Sequence, residues 1–297
     1  LELFCKIQKK ALRLRKNNKQ KIDSDLSLFI YKFIWQFKGP QMKKTLIAFY
    51  FLISGFAAFA QGTSGSNAKY EYRNLIDLPT AGILEKGFVG ITMDLMPAGV
   101  VIPKIEVGVM DGFSFGISYG GSNIIGSGKV DMYKLPAINV RVRVLDESIA
   151  LPAFTLGFDS QGKGFYNKDL NRYQIKSPGF FVAASKNFEL FGYLSLHGVI
   201  NYSLERDDAD KDLNLGVGFE KTLGGRFSLV GEYDFAVNDN TGKALGDGKG
   251  FMNFGIRWSV GDGLTLGLNL RDVLNNKKIS TAAADRGIFI DYVKGIF

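Results

Sequence analysis

One cysteine and one histidine stand in 297 residues. A lone Cys5 cannot close an internal disulfide, and the residue counts exclude the multi-cysteine and multi-histidine sets that hold structural zinc. After residue 60 no apolar run approaches the roughly 20 residues that a transmembrane helix needs. Any insertion of that part into a bilayer must therefore be as a closed barrel, the other fold that satisfies its backbone in lipid. A charge surplus is also missing. Residues 1–60 hold 12 of the 37 Lys and Arg but 3 of the 29 Asp and Glu, which leaves 25 against 26 in the rest. The formal net charge of +8 thus belongs to the first 60 residues, and the remainder, near neutral, has no basic footprint for nucleic acid.

The first 60 residues read as two pieces. Residues 42–60 have the three regions of a secretory signal: a basic start at Lys43 and Lys44, an apolar core from Thr45 to Phe56, and a small-x-small cleavage site at Ala58 and Ala60. Cleavage there leaves Gln61 as the first mature residue. An export signal works at an emerging N-terminus, so residues 1–41 are expected to be upstream sequence outside the translated protein. The lone cysteine falls within them.

What the remainder has is alternation. In residues 251–260 Met252, Phe254, Ile256, Trp258 and Val260 alternate with Asn253, Gly255, Arg257 and Ser259. After Gly261, Asp262 and Gly263, four leucines (264, 266, 268, 270) alternate with Thr265, Gly267, Asn269 and Arg271. A period of two around a Gly-Asp-Gly turn predicts an antiparallel hairpin with one apolar face. Each arm has the length of a tilted bilayer-crossing strand, roughly 9–11 residues. One face is fatty and aromatic and the other polar, as in a barrel with lipid outside and a wet interior.

Similar runs predict strands at about residues 87–95, 101–109 (interrupted by Pro103), 113–119, 137–145, 151–158, 180–186, 191–204, 213–221, 227–237 and 287–297. With the hairpin they make about twelve, an even number as single-chain bacterial barrels have. The expected fold is all-β: a single antiparallel up-and-down transmembrane β-barrel over residues 87–297. Residues 61–86 form a leader and a periplasmic or plug segment, tucked into the barrel mouth or along its rim. The longest connections, about 159–177 and 238–250, are expected on the outer side and the tight turns on the periplasmic side. An aromatic last residue, Phe297, with Tyr292 before it, fits a barrel-assembly signal, although Asp291 and Gly295 interrupt the alternation. A soluble barrel or sandwich is the fold-level rival.

Several short stretches resemble the YjbH-domain family of exported barrel proteins: Asn74-Leu75-Ile76-Asp77-Leu78-Pro79-Thr80-Ala81 followed by Gly87, then Ser118-Tyr119-Gly120-Gly121, Gly157-Phe158-Asp159-Ser160-Gln161-Gly162 and Leu196-His197-Gly198. They spread over residues 74–276. The resemblance implies an outer-membrane β-barrel in a diderm envelope, and larger relatives are associated with exopolysaccharide production and export. Expected partners are outer-membrane lipid, the barrel-assembly machinery, and polysaccharide or envelope export partners.

Catalytic and metal signatures are incomplete. The glycine-rich stretch 121–129 ends in Gly-Lys but lacks the first Gly and the Ser/Thr of a phosphate loop. His197 shares a strand face with Ser195 and Asn201, a weak echo of a lipid-hydrolase trio. Asp208, Asp210, Asp212 and Asn214 alternate like calcium ligands, but Leu213 replaces the turn glycine and Phe219 the bidentate acid. No cofactor is expected. The polar face holds Arg141, Arg143, His197, Glu220, Glu232, Asp234, Arg257, Asn269 and Arg271. Charges cost too much in lipid, so these residues are expected to line or close the lumen. The expected function is a non-enzymatic, porin-like barrel passing polar or saccharide solutes. The alternatives are a closed scaffolding barrel or, third, a lipid hydrolase.

Overall fold

The computed structural model describes residues 62–279 and 284–296. The expected signal peptide with Ala58 and Ala60, the expected upstream segment 1–41 and Phe297 lie outside the described residues.

The strands are β1 (Phe88–Met96), β2 (Val100–Met110), β3 (Phe113–Ser118), β4 (Gly121–Ser122), β5 (Asp131–Met132), β6 (Ala137–Leu145), β7 (Ala153–Asp159) and β8 (Lys163–Asn167). They continue with β9 (Arg172–Ile175), β10 (Gly179–Glu189), β11 (Tyr193–Tyr202), β12 (Asn214–Thr222), β13 (Phe227–Asp234), β14 (Phe251–Gly261), β15 (Leu264–Arg271) and β16 (Asp285–Gly295). Twelve of them form one antiparallel sheet in the order β1-β16-β15-β14-β13-β12-β11-β10-β7-β6-β3-β2, and β2 pairs again with β1. That last pairing closes the barrel and leaves it without a free edge. β4 and β5 extend from β2, and β8 and β9 form a separate hairpin.

The twelve alternating runs are the twelve staves. The hairpin at 251–271 has Trp258 opposite Leu266 and Phe254 opposite Leu270. Its turn places Asp262 at φ 48° and Gly263 at φ 86°, the left-handed pair that matches strand twist. A Cβ on Gly263 would overlap the Val293 carbonyl, so glycine is required by space as well as by φ. Pro103 does not interrupt β2, because it lies just past the last β2–β3 pair, Lys104 with Ser118. Its carbonyl accepts Tyr119 N–H at 3.2 Å, so the missing N–H falls beyond that ladder.

The outward face is apolar and uncovered: Ile105, Ile117, Phe180, Ile200, Ile256 and Leu268 are all exposed. A soluble barrel would bury such a belt or replace it, so this one faces lipid. In β16 Ile288, Ile290 and Tyr292 face out while Phe289, Asp291 and Val293 face in. Asp291 therefore keeps the alternation; the apolar residues that turn inward, Phe289 and Val293, obscure it.

All long connections (119–136, 160–178, 203–213, 235–250, 272–284) leave one end of the barrel. The connections 111–112, 146–152, 190–192, 223–226 and 262–263, all short, leave the other, where the leader enters; one short turn, 97–99, lies among the long connections. The expected segregation thus holds. The connections hold more structure than expected, since 119–136 contains β4 and β5 and 160–178 contains β8 and β9.

Candidate functional site

The lumen is occupied by the protein's own leader. Residues 62–67 clasp the wall near the tight turns: Thr63 and Ser64 donate backbone N–H to Thr265 Oγ1 and Ser259 Oγ, both at 3.0 Å. Ser66 and Asn67 N–H bond the carbonyls of Gly224 and Gly225. The chain then rises into the barrel and doubles back. Thr80 N–H bonds Arg73 O, Leu75 N–H bonds Leu78 O, and Asn74 bridges Pro79. Residues 72–84 are therefore a short lumenal hairpin, deeper than a position at the mouth or rim, and the Asn74-to-Ala81 stretch is its tip.

The tip is gripped by the wall. Ile76, Asp77 and Leu78 all donate backbone N–H to the Glu232 carboxylate, at 3.0, 2.8 and 3.1 Å. Arg257 donates to Leu75 O at 2.8 Å, and Arg141 to Asn74 Oδ1 at 2.7 Å and Thr80 O at 3.1 Å. Arg271 pairs with Asp77 at 2.9 Å and with Asp94 at 3.2 Å. Tight turns buried away from water leave backbone groups that need partners, and the wall supplies them. Apolar contacts complete the fit: Leu75 and Ile76 cluster with Tyr72 and Val230, and Leu78 with Phe181, Ala183 and Val199. Gly216 and Gly218, inward-facing on β12, leave the space that Leu78 and Leu75 fill.

Of the residues expected on the polar face, Arg141, Glu232, Arg257, Asn269 and Arg271 converge on or beside this tip. Asn269 accepts from Arg257 at 2.6 Å. Arg143 sits lower, pairing with Glu71 and donating to Ala81 O at 2.9 Å. Asp234 accepts from Asn214 at 2.7 Å, above the tip. Glu220 takes Ser228 Oγ–H at 2.6 Å near the leader. His197 Nδ1 lies 2.8 Å from Ser185 Oγ, which in turn accepts Ala81 N–H at 3.0 Å. All nine face inward.

The Ser195, His197 and Asn201 trio is not wired together. Ser195 bonds Asn187, and Asn201 donates to Pro178 O at 2.9 Å. The three do not form a relay; the hydroxyl that His197 meets is that of Ser185, which also accepts Ala81 N–H.

Sequence reasoning missed the partners that neutralise the wall. Arg73 meets Asp291 at 2.5 Å and Glu106 at 3.5 Å. Lys104 meets Asp159 at 2.7 Å, and Lys163, reaching down from β8, meets Asp94 at 2.8 Å and Ile76 O at 2.7 Å. Asp94 and Glu106 sit at inward positions in predicted strands, a signal that could have found them, whereas Asp159 fell in the expected connection 159–177. Arg73, Asp77 and Lys163 lie outside strands with periodic alternation, where pattern gives no direction.

Above the hairpin the long connections interlock. Arg172, fully buried, pairs with Asp208 at 2.7 Å and Asp239 at 2.6 Å, while Lys176 takes Asp208 at 2.8 Å. Asp210 accepts Asn240 N–H at 3.0 Å. The carboxylates of the calcium-like stretch thus serve loop closure: Asp208 answers two cations, and among the described residues no group has the makings of a metal site. Glu205, in the same cap, accepts N–H from Tyr173 and Ser177, both at 2.8 Å. Burial pushes its carboxyl above the usual range, and those hydrogen bonds oppose the rise.

What space is left is divided. About 50 Å³ lies between hairpin and cap, among Asp94, Lys104, Glu106 and Asp159. About 300 Å³ lies below the hairpin, among Tyr72, Arg143, His197 and Glu220. Residues 72–84 stand between the two.

No family model matches the chain, and no curated protein matches it. Among solved structures it is similar to the KdgM porin, at 9% identity over 71% of this chain and 99% of that one, with a TM-score of 0.45. A KdgM porin in complex with disordered oligogalacturonate is similar at 8% identity over 69% of this chain and 98% of that one, TM-score 0.43. A NanC porin structure is similar at 8% identity over 70% of this chain and all of that one, TM-score 0.40.

Proposed function

We propose that this chain is a non-enzymatic outer-membrane β-barrel of porin type, shut at rest by its own residues 72–84, which passes small polar solutes when that hairpin leaves the lumen. The observation that carries the reading is the grip on the hairpin tip. Glu232 takes three backbone N–H groups, and Arg141, Arg257 and Arg271 take carbonyls or carboxylates. Such contacts exchange with water when a plug moves, so the same charged wall that holds the hairpin would line a wet pore after it leaves. The outward apolar belt supports the membrane placement. The export signal in residues 42–60 supports the outer membrane of a diderm cell, with outer-membrane lipid and the barrel-assembly machinery as partners. Membership of the YjbH-domain family, and with it a link to polysaccharide export, is part of this proposal and rests on the hairpin-tip motif.

The second reading is a permanently closed scaffolding barrel, favoured by the independent cap around Arg172. Planar-bilayer recording separates the two. Asn67 N–H bonds Gly225 O at 3.1 Å, so the pair Asn67→Cys and Gly225→Cys can pin the leader to the wall. A gated pore shows intermittent unitary steps that vanish on oxidation and return with reductant. Silence in both states, with steady conductance after deletion of residues 62–84, sinks the gated reading and leaves the scaffold.

A further inference from the structure

Two turn tips at the leader end carry large apolar side chains in full exposure. Phe191, in the connection 190–192, is 96% exposed, and Ile149, in 146–152, is 101% exposed. The tips are neighbours, because β7 pairs with β10 and Asn187 N–H bonds Glu147 at 3.0 Å. Phe191 also holds φ at +44° ahead of Gly192 at +95°, a left-handed turn position that suits Asn or Gly and costs a bulky aromatic residue. The next tip along the wall, 111–112, and the one across the barrel, 262–263, are built differently: both are Asp-Gly. Below Phe191 and Ile149 the outward face carries Val144 at 60% and Phe188 at 46% exposure, and its one polar break on β10 is Lys186, which pairs with Glu147 at 3.1 Å.

We infer that these two tips are an interfacial membrane anchor, inserted in the boundary of the leader-side leaflet, so that the β6-to-β11 side of the barrel sits deeper than the β14–β15 side. The occupant is lipid because the tips continue the lipid-facing belt. An aromatic side chain at the end of such a belt belongs at the headgroup boundary. The inference rests on the membrane placement proposed above, not on whether the hairpin moves.

Tryptophan quenching tests it. The full chain with Trp35→Phe keeps Trp258, outward on β14, as its sole tryptophan. In vesicles whose acyl chains carry bromine, Trp258 emission should be quenched; if it is not, the membrane placement itself fails. Moving the probe with Trp258→Phe and Phe191→Trp should give quenching at least half as strong, with shielding from aqueous iodide. Asp262→Trp, on the opposite tip, should be quenched by iodide instead. A residue-191 probe open to iodide and untouched by bromine, while Trp258 is quenched, overturns the anchor. Protection from both quenchers also overturns it, by showing protein rather than lipid on the tip. Ile149→Trp repeats the reading on the neighbouring tip should the Phe191 variant fail to fold, and iodide access there is equally fatal.

Discussion

The barrel is closed twice, and the two closures are built on different principles. The lumenal hairpin is a single segment whose backbone groups are satisfied by side chains of many strands: Glu232 of β13, Arg257 of β14, Arg271 of β15 and Arg141 of β6. The cap is made of several connections that neutralise one another through Arg172, Asp208, Asp239 and Lys176. A barrel wall is rigid because its ladder closes on itself, so the hairpin meets a preformed mould. The cap has no such mould, and its order depends on its own charges. Loss of one wall residue should therefore release the hairpin as a unit, whereas loss of one cap residue should loosen the connections and leave the lumen shut.

The sharpest way to break that contrast is Glu232→Ala. It removes the acceptor of three hairpin N–H groups and of Asn253 Nδ2, which lies 2.7 Å away. Leaving a buried donor without its acceptor costs about 1–3 kcal/mol, and four donors lose one here. The cost should fall on the closed state, so bilayer recordings should show far more frequent openings while the barrel keeps its resistance to unfolding by heat in detergent. A variant as silent as the parent would mean that the hairpin is held by its apolar contacts alone.

Next in size is Arg172→Ala, which strands Asp208 and Asp239 beneath the cap. Lys176 still answers Asp208, so the expected loss is about 3 kcal/mol, at the low end for a buried pair. Amide exchange should speed up in 203–213 and 235–250, with protection of residues 72–84 unchanged. Faster exchange in the hairpin would show that cap and hairpin are one cooperative unit, with Lys163 as the obvious bridge, since it belongs to β8 yet bonds Ile76 O.

A smaller effect is expected from Gly218→Val. The side chain would enter the space of Leu75 and wedge the tip outward; overpacking of this kind costs about 1–3 kcal/mol. Opening frequency should rise, by less than with Glu232→Ala, and cap exchange should stay as it was. No change in either would mean that Leu75 has another place to go.

These residues also mark how far the sequence could be read. The period of two located all twelve staves and sent Arg141, Glu232, Arg257 and Arg271 inward, because lipid and lumen impose opposite chemistry on successive residues. Pattern had nothing to say about Asn74 to Ala81, whose conformation is set by the wall rather than by its own propensity. Hence its depth in the barrel was not legible. Nor was the pairing of Arg73 with Asp291, which joins residues at opposite ends of the described chain. The stretch from Asp208 to Asn214 had no legible partner for a related reason: alternating carboxylates suit a cation of any kind, and Arg172 and Lys176, from a distant connection, supply the charge.

The smallest effect concerns pH and separates the closures by titration. Glu205 lies in the cap, and burial raises its carboxyl pKa above the usual 4.5 in the folded protein. A group raised in this way binds its proton more tightly folded than unfolded. Its contribution to stability is therefore fully present below pH 4.5 and is lost as pH rises through the folded value. Glu205→Gln removes the titration and keeps an acceptor for one of the two N–H groups, which in the parent bond separate oxygens, Tyr173 to Oε2 and Ser177 to Oε1. The opening free energy of 203–213 read by amide exchange should fall with rising pH above 4.5 in the parent and stay level in the variant, with an offset of about 1 kcal/mol for the lost bond. If the parent's cap instead tightens as pH rises through this window, the Glu205 carboxylate is stabilised by Arg172 after all, and the cap resembles the hairpin in being held by a charge.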